Sequence, residues 1–140
     1  MSNRSKKIVI SLLKTNTFIV DALSSVLKPY NISLQQFNVL RILRGQKGNP
    51  SNLSTVQEKM INRMSNTTRI IDKLVQKNYV IRSVCKKNRR KIELFITPKG
   101  LEILGKIDLT FEKEESKLTQ KLTPNEHDEI LILLKKINNL

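Results

Sequence analysis

The chain has 140 residues, room for one domain with one hydrophobic core, and with 39% apolar residues and no Trp that core has to be built from Leu, Ile and Val on helices. A formal charge of +14 and a pI near 10.2 call for an anionic partner: nucleic acid, a membrane surface or an acidic protein. A single cysteine excludes an intramolecular disulfide and fits a reducing cytoplasm.

The start of the chain, Lys6-Lys7 followed by the apolar run from Ile8 to Leu13, is a faint echo of a signal sequence. The run is short, is cut by Lys14, and has no small-residue cleavage site soon after it, so it reads as the start of a helix. No stretch approaches the roughly 20 apolar residues of a membrane span. Residues 5–28 carry helical periodicity, with Ile8, Leu12, Ile19, Leu23, Val26 and Leu27 largely on one broad face, and Pro29 closes the helix. Ser33-Leu34-Gln35-Gln36 is a capping box. It opens a second amphipathic helix with Leu34, Phe37, Leu40 and Leu43 inward, ended by Gly45, Gly48 and Asn49-Pro50. Ser54-Thr55-Val56-Gln57 reads as another capping box, opening a short helix to about Ile61, and Asn62-Arg63-Met64 as a turn.

Ser65 is expected to cap the next helix, whose polar side carries Thr68, Arg69, Asp72, Lys73 and Gln76 and whose apolar side carries Ile70, Ile71, Leu74 and Val75. Asn78, tolerant of the left-handed conformation, ends it. Val80–Cys85 and Lys91–Thr97 read as two strands around the basic tip Lys86-Lys87-Asn88-Arg89-Arg90-Lys91. Thr97 caps and Pro98 opens a long helix to about Lys121, with Leu101, Leu104, Ile107, Phe111 and Leu118 inward. Thr123-Pro124-Asn125-Glu126 is a further capping box, opening a last helix whose Ile130, Leu131, Leu133, Leu134 and Ile137 exceed what one small domain has to cover. That surplus points to a partner, most economically a second copy.

Charge is not spread evenly. Residues 59–91 hold eleven Lys/Arg and one acid, Asp72, whereas residues 102–129 hold eight of the twelve acids. The positive field thus sits on a short helix followed by a cationic hairpin. Such a helix offers Ser, Asn, Thr and Arg to base edges in the major groove, and an arginine at a hairpin tip suits the narrow minor groove. This is the anatomy of a winged helix-turn-helix. The expected fold class is mainly α with a small β-hairpin wing and six helices.

The order of elements, with TTRIIDKLVQKNYVIR over residues 67–82 and NRRKIELFITPKG over residues 88–100, resembles the MarR family of bacterial transcription regulators over nearly the whole chain. The resemblance implies a single domain over residues 1–140. Its winged helix-turn-helix unit would cover about 33–97, and the helices in about 1–30 and 98–140 would form a homodimer. It implies a cytoplasmic, sequence-specific DNA-binding regulator: a repressor of a pseudo-palindromic operator, released by a small, amphipathic molecule bound in a cleft between base and reading unit. Two positions depart from the family pattern: Asn88 stands where Asp is usual ahead of the paired wing arginines, and Asn78 stands where Gly is usual.

The expected DNA-binding residues are Ser65, Asn66, Thr67, Thr68, Arg69 and Lys73 on the recognition helix, and Lys86, Lys87, Arg89, Arg90 and Lys91 on the wing. Arg69 would address guanine and Arg89 the minor groove, with Arg90 positioning it or touching phosphate. An Arg69 paired with Asp72 and a merely solvated charge run are the bland alternatives. Phe18, Phe37 and Phe111 are weak candidates for a ligand cleft lined from the first, second and fifth helices, and aromatic residues so placed are more often core. Cys85 reads as a small half-buried strand residue. Cys85 and the lone His127, far apart in sequence, make no metal site of recognisable spacing, and no cofactor is expected. Glu112, Glu114 and Glu115 read as a solvated helix face, with no nucleophile–base pair to support an enzyme. The rival readings are a non-specific architectural nucleic-acid-binding protein and a membrane-surface module using the first helix.

Overall fold

The structure, a computed structural model, describes residues 2–138; the expected helical ends at residues 1, 139 and 140 lie outside the described residues. The elements are α1 (Ser2–Leu27), a 3-10 turn (Lys28–Tyr30), α2 (Leu34–Gly45), α3 (Leu53–Lys59), α4 (Thr67–Gln76), β1 (Val80–Val84), β2 (Ile92–Ile96), α5 (Pro98–Thr119) and α6 (Pro124–Asn138). Six helices and one antiparallel hairpin follow the expected order. Val80 pairs with Ile96 at the base of the hairpin and Val84 with Ile92 near its tip.

Local sequence accounts for many of the boundaries. Ser33 Oγ accepts from Gln36 N–H at 3.0 Å, and Gln36 Oε1 accepts from Ser33 N–H at 3.2 Å, which satisfies two free donors at the α2 start. Thr123 and Glu126 reciprocate in the same way before α6, and Thr97 Oγ1 accepts from Gly100 N–H before α5. Asn78 takes φ 65°, so the left-handed stop of α4 is as expected.

Two caps lie elsewhere than expected. The cap of α3 is Asn52, whose side chain accepts from Thr55 N–H at 2.8 Å, and not Ser54. Ser51 is bridged to Leu94 by two backbone hydrogen bonds of 2.7 and 3.0 Å, so the chain leaves the sheet at Asn52 and can coil at once. The cap of α4 is Asn66, not Ser65. Ser65 N–H donates to Asn62 C=O and closes the preceding turn, which uses Ser65 before the helix begins.

The core is one cluster. Leu27 from α1, Phe37, Leu40 and Leu43 from α2, Val56, Ile71, Leu74, Leu94, Leu104, Ile107 and Phe111 are all buried. Leu101, expected inward on α5, is exposed, whereas Leu104, Ile107 and Phe111 on the same helix are buried and carry the face. Arg44 grips Asp108 with two hydrogen bonds of 2.7 and 3.2 Å, tying α2 to α5.

The expectation of no spanning-length segment is corrected at α1. Its helix with the following turn, Asn3–Tyr30, is long and apolar enough to cross a membrane by length and composition, with mean hydropathy 1.3. The charged Lys14 and Asp21 interrupt that surface, and its distal end is core: Leu27 is buried and Leu23 and Val26 pack against the cluster. The helix also packs along α5 of the same chain.

Candidate nucleic-acid interface

Helix α4 presents two faces set by its sequence. Ile71 and Leu74 are buried, while Thr68, Arg69, Lys73 and Gln76 are exposed. Thr67 parts company with its neighbours: it is 3% exposed and its hydroxyl donates to Ser65 C=O, so it serves the turn and has no free face. Asn66 is exposed, but its Oδ1 is committed to the cap, where it accepts from Arg69 N–H at 3.2 Å; its amide N–H groups remain available. Ser65 is half-buried.

Asp72 pairs with Arg82 on β1 and not with Arg69. That ion pair bolts the hairpin to α4. It also leaves the Arg69 guanidinium without an ion pair among the described residues. Lys77, at the far end of the helix, donates to Asn31 C=O and to Gln36 Oε1 at 3.1 Å. Burial lowers its pKa, and the neighbouring Lys73 charge lowers it further.

The wing tip is built by Asn88. Its side chain accepts from Arg90 N–H at 3.1 Å and its carbonyl accepts from Lys91 N–H at 2.9 Å. Cys85 N–H then donates to Lys91 C=O, and Cys85 is half-buried at the base of the tip. Asn88 thus orders the loop through backbone contacts, and the loop leaves both arginine side chains outward. Lys86, Lys87, Arg89, Arg90 and Lys91 are all exposed and none is in an ion pair among the described residues. Unneutralised cations packed this closely repel one another, so the loop is electrostatically suited to a polyanion. The anchoring Ser51–Leu94 bridge was missed by sequence reasoning. Its only sequence signal is the Pro50-Ser51 extension ahead of a helix cap.

The three phenylalanines do not form one site. Phe37 and Phe111 pack as a tilted pair with ring centroids 4.5 Å apart in the core, with the Arg41 guanidinium over both rings, whereas Phe18 is 65% exposed on α1. A cleft of about 780 Å³ opens between α1, the 3-10 turn, α2 and α4. Asp21, Ser24, Lys28, Gln36, Lys73 and Lys77 are among its walls, and none of the three phenylalanines is. It is a polar, cationic cleft lined from α1, α2 and α4. Among the described residues no group of three His, Cys, Asp or Glu side chains could hold a metal ion, and His127 Nε2 lies 3.1 Å from Thr119 C=O.

A core-packed α2, a short α3, an amphipathic α4 with a polar outer face and a cationic hairpin define a winged helix-turn-helix protein, and the fold is that of known regulators. It superposes on a MarR variant from E. coli solved with operator DNA with TM-score 0.86 and 24% identity, covering 98% of this chain and 97% of that one. It matches BpsR from Bordetella bronchiseptica with TM-score 0.85 and 21% identity, covering 95% and 94%. The MarR family model matches residues 32–92. YkoM, an HTH-type transcriptional regulator of Bacillus subtilis, is 30% identical over 78% of this chain and 70% of its own, and MhqR of the same organism is 26% identical over 98% and 93%. The chain belongs to the MarR family of transcription regulators.

Proposed function

We propose that this regulator is a cytoplasmic homodimer that binds a pseudo-palindromic operator in double-stranded DNA and represses transcription from it, with no enzymatic step. The observation that carries this reading is the pairing of a cationic hairpin with α4 through Arg82 and Asp72, with Arg69 in no ion pair among the described residues. On this reading Thr68, Arg69 and the Asn66 amide address base edges, while Ser65, Lys73, Lys86, Lys87, Arg90 and Lys91 neutralise or position phosphates. Arg89 enters the minor groove. Thr67 contributes through the turn alone. The MarR variant of the same fold was solved bound to operator DNA, and this supports the docking mode. The unpartnered apolar residues of α1 and α6 support the dimer.

A small effector belongs to the same reading. The DNA binding of BpsR is regulated by 6-hydroxynicotinic acid, an aromatic carboxylate. In this chain the cleft holding Lys28, Lys73 and Lys77 suits a carboxylate better than the core phenylalanine pair does. A ligand there would touch both α1 and α4.

Selection from a random duplex pool at physiological salt tests the proposal. Enrichment of a two-fold palindrome with half-sites about one DNA turn apart is the expected result. Binding without enrichment would replace it with the non-specific architectural reading, which the net charge alone also supports.

A further inference from the structure

We propose that Met64, with Ile61 beside it, reads thymine methyl groups in the major groove and sets base preference at one edge of each half-site. Ile61 and Met64 are 87% and 92% exposed, more than any other large apolar residue described. Neither is loose. Ile61 N–H donates to Asn38 Oδ1 at 2.9 Å, Met64 N–H donates to Asn62 Oδ1 at 3.0 Å, and buried Met60 anchors the turn in the core. The fold therefore holds the backbone of residues 60–65 firmly while leaving these two side chains covering nothing. Stability gives no reason for an apolar residue at either position, so the reason lies with a partner.

The chemistry of that partner follows from the surroundings. Lys59, Arg63, Arg69 and Lys73 flank the pair in the chain, and all are exposed, so the partner is anionic as well as locally apolar. In a DNA major groove the thymine C5-methyl is the one apolar group among the donors and acceptors of the base edges. Met64 stands two residues before Asn66, the cap of α4, at the helix end that helix-turn-helix proteins turn towards bases. The inference rests on the reading of α4 as a recognition helix. It adds a hydrophobic discriminator to the polar ones on that helix, and an unbranched thioether adapts well to a methyl contact.

The test replaces each thymine of the selected site by deoxyuridine, which removes the methyl and keeps every hydrogen-bonding group. At one or two positions per half-site the wild-type protein is expected to lose about fourfold in affinity, the worth of one buried methyl. Met64→Ala should bind the thymine site more weakly and show no further loss with deoxyuridine at the same position, while Met64→Leu should retain the penalty. At 92% exposure the substitutions leave the melting temperature in place, so a loss of binding is not a loss of fold. A selected site whose thymines all tolerate methyl removal, with Met64→Ala and Ile61→Ala binding as wild type, overturns the methyl contact and leaves the regulator reading intact. A protein that selects no sequence overturns both. Variants that lose affinity for anionic vesicles but not for DNA would assign the pair to a lipid surface and overturn the inference as well.

Discussion

Gly100 is fixed by its neighbours. A Cβ built there would sit 2.6 Å from Tyr79 C=O and 2.7 Å from Ile96 Cγ1, at the junction where the hairpin returns to α5. Neither can yield cheaply, because the Tyr79 carbonyl already accepts from Thr97 N–H at 3.0 Å. Gly100→Ala should therefore destabilise the domain by about 1–3 kcal/mol, read as a lower urea midpoint at unchanged slope. The arginines make the opposite case. Arg69 and Arg89 are exposed and support no packing, so Arg69→Ala and Arg89→Ala should leave the melting temperature within about 2 °C. Both should cost operator affinity by about tenfold, measured by fluorescence anisotropy. Arg69→Ala should relax base preference and Arg89→Ala should weaken binding to AT-flanked sites most. Sequence showed that residues 67–69 were polar and helical, but the expected DNA-binding set did not separate the polar side chain that faces inward from those that face out. Thr67 and Thr68 are neighbours of one type with opposite fates, because Thr67 stands four and seven residues before buried Ile71 and Leu74 and shares their face, while Thr68 turns out.

Among the elements, the boundaries written by interactions three residues apart were legible, and those written by distant contacts were not. The boxes at Ser33 and Thr123 and the cap at Thr97 depend on residues within one turn, so the chain states them directly. The start of α3 depends on a bridge from Ser51 to Leu94, 43 residues away, and no local pattern announces it. The box before α6 also carries a pH signature. Hydrogen bonds from Thr123 hold the Glu126 carboxyl below the ordinary carboxylate range. Its contribution is then complete above the ordinary carboxylate pKa and is lost as pH falls through the lowered folded value. In melts from pH 7 downwards, wild type should lose more stability in acid than Glu126→Gln, and the two should converge at the acid end. Parallel curves would mean that the box contributes nothing.

Across the molecule, the segregation of charge is the feature most visible in the sequence and the hardest to attribute to folding. Of the eleven cations over residues 59–91, Arg82 pairs with Asp72 and Lys77 donates to Asn31 and Gln36, while the exposed others repel one another with one acid among them. Their expected return is a steep salt dependence. Log affinity should fall linearly with log salt, and replacing Lys87 by Ala should reduce the slope by about 0.9 if it meets a phosphate. The apolar surplus of α1 and α6 was also legible, because Ile8, Val9, Leu13, Leu131 and Leu133 are exposed among the described residues. Leu131→Glu should convert a dimer to monomers in sedimentation velocity and abolish binding to a two-half-site operator.

That uncovered helix has a consequence for how much of the protein a cell can safely keep. If the apolar flank of α1 is hidden only by association, dilution exposes it, and the folded state becomes a function of copy number by mass action. Newly made or scarce chains would present a greasy, lysine-flanked rod to proteases and to any lipid surface nearby. Abundant ones would bury it in each other. A regulator built this way would have a floor on its own abundance, below which chains are cleared before they reach an operator.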